Sequence, residues 1–129
     1  MLVDTHILVW FALKPEELSK KAWEAMQTTL REDNKIYCLS ASFWELTIKV
    51  LKGRLDLGMP VIEFHNLCAR AKELEIIDTT PAHWIQSAEL EWHHQDPIDR
   101  LLVATAQMLN FPLITSDQII QSFYKHCIW

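Results

Sequence analysis

The residues best placed to do chemistry are acids at the ends of expected strands and in the first turns of expected helices. Asp96 and Asp99 belong to the run His93–Ala106, HHQDPIDRLLVATA, and fall in the first turn of a helix that is apolar or small on most faces. Pro97 stands where a helix tolerates a missing N–H. A carboxylate in that turn complements the helix dipole, so neither acid alone points to a site. Three more acids occupy comparable places: Asp4 ends a short apolar strand, Glu45 lies a turn into a helix, and Asp117 closes another strand. Carboxylates that converge on one rim repel each other and raise some of their pKa values, so the arrangement is sensible only with cations in it. Oxygen-only ligands select hard ions, Mg2+ or Mn2+, which keep several waters and suit phosphates. The chemistry that follows is phosphodiester hydrolysis, with one ion orienting a water and the same or a second ion steadying the leaving oxygen.

Each acid also has a simpler use. Asp4 and Asp117 suit helix N-caps, with Thr5 beside the first and Thr115 and Ser116 beside the second as accessory groups. Glu45 precedes Lys49 by four residues, the favourable order for a helical ion pair of about 0.2–0.5 kcal/mol. Yet Phe43, Trp44, Leu46, Ile48, Val50 and Leu51 leave that helix almost no polar face, so it is expected to be buried. A buried Glu45 needs Lys49 or a metal as partner. Asp99 is expected on the inward side with Leu102 and Val103, whereas Asp96 suits a cap and an i+4 partner for Arg100, which makes Asp99 the better ligand. Lys49, Lys52 and Arg54 cluster near a helix end closed by Gly53. They either complement the dipole or, with Arg100, contact phosphate. His93 and His94 would point about 100° apart on a helix and so do not suit a shared zinc ion.

The elements that must hold these groups alternate. Strands are expected at Leu2–Thr5, Ile36–Leu39, Glu75–Asp78, Phe111–Thr115 and His126–Trp129. Helices are expected at Ile7–Leu13, Glu16–Arg31, from a Ser40 or Ser42 cap through Lys52, Pro60–Glu73, Pro81–Glu91, Pro97–Leu109 and Gln118–Tyr124. Thr80 and Pro81 supply a cap and first-turn pair, and a capping turn with Thr79 and Thr80 accounts for Asp78. Trp84 is expected in the core, His83 at the surface, and Trp23 beside its helix's buried stripe. Alternation of this kind predicts an α/β fold, a three-layer α/β/α sandwich around a central, mainly parallel twisted sheet. Right-handed crossovers then put the strand C-termini, and with them Asp4 and Asp117, on one edge, where Glu45 and Asp99 enter from helices that start there.

A length of 129 residues, half of them hydrophobic, suits one domain spanning 1–129 with a sizeable core. With two Gly and five Pro, no linker or repeat is evident. The apolar run Ile7–Leu13 is too short to span a bilayer and lacks a signal peptide's flanks, so a cytoplasmic, membrane-free protein is expected. Three widely spaced cysteines, Cys38, Cys68 and Cys127, fit reduced core thiols. A net charge of −5 argues against coating nucleic acid, but a nuclease whose acids hold cations remains consistent with it.

Taken together, Leu2-Val3-Asp4-Thr5-His6, Ser40-Ala41-Ser42-Phe43-Trp44-Glu45, Lys52-Gly53-Arg54-Leu55, His94-Gln95-Asp96-Pro97-Ile98-Asp99-Arg100-Leu101-Leu102 and Leu113-Ile114-Thr115-Ser116-Asp117 resemble the motifs of PIN-domain ribonucleases. Among these, the VapC-type toxins of bacterial type II toxin-antitoxin modules are the most similar. The resemblance runs from the first strand to the last tryptophan, and the order and spacing of the motifs make it specific. It implies Mg2+-dependent endonucleolytic cleavage of RNA, a small cognate antitoxin whose C-terminal segment occupies the groove, and a homodimer. The family's four acids map onto Asp4, Glu45, Asp99 and Asp117, with Asp96 accessory. Ile98 stands where the family often has Phe, a change expected to affect packing only.

Two other readings compete. An aspartate-nucleophile phosphatase also ends its first strand in an acid like Asp4, but it needs a second Asp two residues on, where this chain has His6. A noncatalytic interaction protein could keep the fold and turn its tryptophans and acidic surface toward a partner.

Overall fold

A computed structural model describes residues 1–129. Successive side chains of a strand point to opposite faces, and in this chain that alternation assigns the layers. β1 (Leu2–Val3), β2 (Ile36–Leu39), β3 (Leu74–Ile77), β4 (Leu113–Ile114) and β5 (Cys127–Ile128) form one sheet in the order β3-β2-β1-β4-β5. Every neighbouring pair is parallel. Leu2 is in register with Leu113, and Val3 with Ile114. Leu2, Leu39 and Leu113 enter one apolar cluster; Val3, Ile36, Cys38 and Ile114 enter the other.

Helices cover both faces. α1 (Thr5–Leu13), α2 (Lys20–Arg31) and α4 (Val61–Arg70) supply Ile7, Leu8, Met26 and Phe64 to the Val3 side. α3 (Ser40–Leu51) contributes Leu46 to that side and Ala41 to the other. The Leu2 side is covered by α6 (Pro97–Leu109) and α7 (Gln118–Phe123) through Leu101, Val103 and Ile120. α5 (Pro81–Glu89) packs on α6. The result is the expected three-layer α/β/α sandwich with a parallel central sheet. β1 leads into α1 on one face and its neighbour β4 leads into α7 on the other, so a crevice opens beyond their carboxyl ends.

Several local expectations change. The chain turns helical at Thr5, directly after Asp4, and the helix expected over Glu16–Arg31 is split. Pro15–Glu17 forms a 3-10 turn, and α2 starts afresh behind Ser19, whose hydroxyl accepts from the Ala22 N–H at 3.1 Å. α3 is capped by Leu39 rather than by a serine. Only one side of α3 meets the core, so Trp44 and Leu51 are exposed where burial was expected. Trp84 is likewise exposed, because α5 lies outside α6 with no further layer over it. Burial pushes the Cys38 thiol up to about 12 and the Cys68 thiol up to about 11, which suits inert core filler. No helix is long and apolar enough to cross a membrane.

The largest correction concerns Arg100, which neither pairs with Asp96 nor faces a phosphate path. Its guanidinium turns back on the α5–α6 connection and donates to five carbonyls. These are Ser87 O at 2.9 Å, Ala88 O at 3.2 Å, Leu90 O at 2.8 Å, His94 O at 3.1 Å and Trp92 O. Trp92, held in this loop, stacks on Phe123 with ring centroids 4.6 Å apart. Hydrogen bonds from a charged donor are each worth about 1.5–3 kcal/mol, and truncation would leave several part-buried carbonyls unpaired. Arg100→Ala is therefore expected to lower the unfolding free energy in urea by about 2–4 kcal/mol. Arg100→Lys should recover little, because an ammonium lacks the planar fork; full recovery by Lys would contradict this role.

Candidate active site

Asp4 lies at the mouth of the β1/β4 crevice. Its backbone N–H still bonds Ile114 O across the sheet, at 3.0 Å, which fixes the residue at the strand end. The side chain is buried, and Thr115, at the matching end of β4, donates its hydroxyl to Asp4 Oδ2 at 2.6 Å. His6 Nδ1 approaches the same oxygen at 3.4 Å, while its Nε2 meets the Ser116 hydroxyl at 2.8 Å. Burial pushes the Asp4 carboxyl up, but hydrogen bonds from His6, Thr115 and the Thr5 backbone, with the His6 charge, outweigh it and hold the carboxyl below its usual range. Thr5 itself bonds Ser42 at 3.1 Å, tying α1 to α3.

Asp99 comes to the site from α6. Asp96 caps that helix by accepting from Ile98 and Asp99 N–H groups at 2.9 and 3.2 Å, which leaves Asp99 free of the capping role. His94 Nε2 lies 2.5 Å from Asp99 Oδ2. Burial pushes the Asp99 carboxyl up to about 6; the negative charges of Asp96 and Asp4 add to the rise, and His94 opposes it. The two carboxyls thus shift in opposite directions for separate reasons, hydrogen bonds from His6 and Thr115 at Asp4 and burial at Asp99, with the Asp4 charge adding to the rise at Asp99.

Glu45 and Asp117 do not join them by direct contact. Glu45 Oε1 pairs with Lys49 at 2.5 Å. Asp117 caps α7, accepting from Ile119 and Ile120 N–H at 2.6 and 3.2 Å. Its link to Asp4 is indirect: the Asp117 N–H donates to Thr115 Oγ1 at 3.0 Å. No three His, Cys, Asp or Glu side chains gather as a ready metal cage. The donor chemistry nevertheless fits a hard divalent ion at Asp4 and Asp99, two mutually repelling carboxylates backed by a threonine hydroxyl. Beside them, Glu45 and Asp96 share a hollow of about 240 Å³ with Lys49, Lys52 and Arg54. Lys49 and Arg54 continue into a second hollow lined by Thr5 and His6. Ile98 is buried and borders the first of these.

A PIN domain profile matches residues 1–126. The chain belongs to the PIN domain family. Ribonuclease VapC22 of Mycobacterium tuberculosis is 27% identical over 127 residues, which span 98% of this chain and 92% of the relative. The fold of this PIN domain also resembles the crystal structure of VapBC2 from Rickettsia felis bound to a DNA fragment from their promoter. The TM-score is 0.66 at 19% identity, with 98% of this chain and 93% of that one covered. VapC-type toxins are thus the PIN proteins it resembles. Position for position, its strand-end acid is followed two residues on by His6, bonded to Ser116, rather than by a phosphatase's second aspartate.

His6 and His94 are the contacts that sequence reasoning passed over. Beyond their places in the quoted motifs, His6 was weighed as a missing aspartate and His94 as half of an unsuitable zinc pair. A histidine two residues after a strand-end acid, and another in the loop just before an acidic helix start, were the available signals.

Because folded Asp99 holds its proton more tightly than an unfolded one, stability falls as pH rises from 3.8 through about 6 and then levels off. With solvent screening at the partly open mouth, the cost is about 1–2 kcal/mol. Asp99→Asn should therefore raise Tm by a few degrees at pH 7.5 and leave it unchanged at pH 4, followed by circular dichroism. A lower Tm at pH 7.5 would mean that the charge stabilises the fold as placed.

Proposed function

We propose that this chain is a Mg2+- or Mn2+-dependent endoribonuclease, the toxin of a toxin-antitoxin pair. The observation that carries the reading is Asp4, buried at the sheet's crevice and held there by the Thr115 hydroxyl, in a PIN domain whose relative is named a ribonuclease. Asp4 and Asp99 hold the ion, Glu45 and Asp117 complete the acidic set, and Asp96, Thr5, Thr115 and Ser116 support it. When bound, such an ion supplies an activated water and charge neutralisation at the phosphodiester. Thr115 and His6 orient Asp4, and His94 orients Asp99. Lys49, Lys52 and Arg54 guide the backbone phosphates of the RNA toward the acids. Arg100 has no part in this, being committed to loop carbonyls.

A small antitoxin is the expected protein partner, in keeping with the VapBC2 assembly of the structural neighbour, and the toxin works as a homodimer in the cytoplasm. A second reading, a noncatalytic module that keeps the fold, is favoured by one observation: Glu45 and Asp117 are already engaged by Lys49 and the α7 N-terminus.

Cleavage of a mixed RNA pool in MgCl2 or MnCl2 separates the two. The purified wild type is expected to cut, and Asp4→Asn and Asp99→Asn to lose about 10²-fold or more in rate while keeping a native circular dichroism spectrum. A wild type, freed of antitoxin, that cuts nothing with either ion would give the case to the noncatalytic module.

A further inference from the structure

Trp44 stands next to Glu45 in the chain and is 58% exposed. Its indole borders three adjoining hollows, one of which is the hollow that holds Glu45, Asp96 and the cations Lys49, Lys52 and Arg54. A second, about 420 Å³ in volume, lies between α3, α5 and α6 and is lined by Trp44, Trp84, Ile98 and Pro97, with the hydroxyl residues Ser40 and Thr79 on its polar side. Trp84 is 45% exposed there. Of the other tryptophans, Trp10 packs on Trp129 and His6 and Trp92 on Phe123 and His94, while Trp23, 39% exposed on α2, lines none of these hollows. Trp44 and Trp84, both exposed, line one hollow large enough for a planar ring system.

Building on the ribonuclease reading, we propose that this hollow is a nucleobase pocket. A base one step from the scissile phosphate unstacks from single-stranded RNA and lies on Trp44, with Trp84 closing its far side. Charge complementarity selects this occupant. In the hollow on one side of Trp44 three cations outnumber the carboxylates Glu45 and Asp96, with Lys52 and Arg54 outside the Glu45–Lys49 pair and suited to phosphates. The hollow on the other side is mainly apolar and aromatic, suited to a base. Alternating anionic backbone and flat apolar bases is the chemistry of single-stranded nucleic acid. Ser40 Oγ accepts from the Thr79 N–H at 3.3 Å, which leaves the Ser40 O–H and the Thr79 hydroxyl to meet the edge of the base. Stacking tolerates any base, so preference among bases comes from these two hydroxyls. Trp44 is then a substrate-binding residue that acts on affinity rather than on the chemical step.

The test uses random RNA hexamers carrying one 2-aminopurine, bound to the Asp99→Asn protein so that cleavage does not intervene. Stacking on Trp44 is expected to quench the probe. Adding Trp44→Ala should weaken binding by about 5- to 100-fold, whereas Trp44→Phe should stay within about 3-fold of the parent. Trp84→Ala should weaken it less, and Leu67→Ala, on the opposite side of the fold, not at all. With Asp99 restored, Trp44→Ala should raise KM for RNA with kcat within about 2-fold. Unchanged hexamer affinity in both Trp44→Ala and Trp84→Ala overturns the pocket. So does sedimentation in which Trp44→Ala turns a dimer into a monomer with RNA affinity intact, since a second copy would then cover the indole. Cleavage with an unaltered KM in Trp44→Ala removes the pocket alone. Trp44-dependent quenching without any cleavage by the wild type removes the ribonuclease reading alone.

Discussion

A carboxylate buried at the end of a central strand has to be satisfied by its neighbours, and the way Asp4 is satisfied sets the rest of the site. Parallel pairing of β1 with β4 brings Thr115 level with Asp4, so one hydroxyl from a residue far away in sequence neutralises part of the burial cost. The first turn of α1 carries His6 back over the same oxygen, and Ser116 holds that imidazole from the other side. These contacts depend on β1 and β4 lying side by side while their helices leave on opposite faces. A one-residue slip of β4 against β1 would turn Ile114 out of the core cluster it shares with Val3 and separate Asp4 from Thr115.

Asp99 is positioned by different means. Its helix is started by Asp96 and Pro97, its backbone is buried among Leu101, Leu102 and Val103, and the loop before it is held in shape by Arg100. That loop delivers His94 to the carboxylate. Asp99, pushed up to about 6 chiefly by burial with the charges of Asp96 and Asp4 adding to the rise, is a carboxylate whose ionisation destabilises the fold on its own at neutral pH. Strain of that sort is characteristic of functional sites, and the proposed divalent cation would relieve it.

Much of this was readable in the sequence because it is local or periodic. Alternating apolar strands and amphipathic helices fixed the layer order, and the strand-end position of Asp4 followed from it, whereas Asp117 lies three residues past Ile114 as the cap of α7. The caps at Asp96, Thr80 and Asp117 obeyed short-range rules. What could not be read depends on where distant backbone goes. Arg100 looked like a partner for Asp96 at helical spacing, yet the carbonyls of the α5–α6 loop form a better acceptor set that no spacing rule describes. Trp44 and Trp84 looked like core because they are large and apolar, but which side of a helix finds a second layer is decided by the whole packing arrangement. The same applies to Glu45, whose ion pair with Lys49 was visible from spacing while its distance from Asp4 and Asp99 was not.

The central claim is that Asp4 and Asp99 act as one cation-binding pair. Carboxyl carbon NMR of the protein titrated with MgCl2 addresses it directly, since each resonance reports its own group. The account predicts that the Asp4 and Asp99 signals move together with a single apparent affinity, and that Asp4→Asn abolishes the movement at Asp99. Movement of Asp99 alone, undiminished when Asp4 is neutralised, would contradict it.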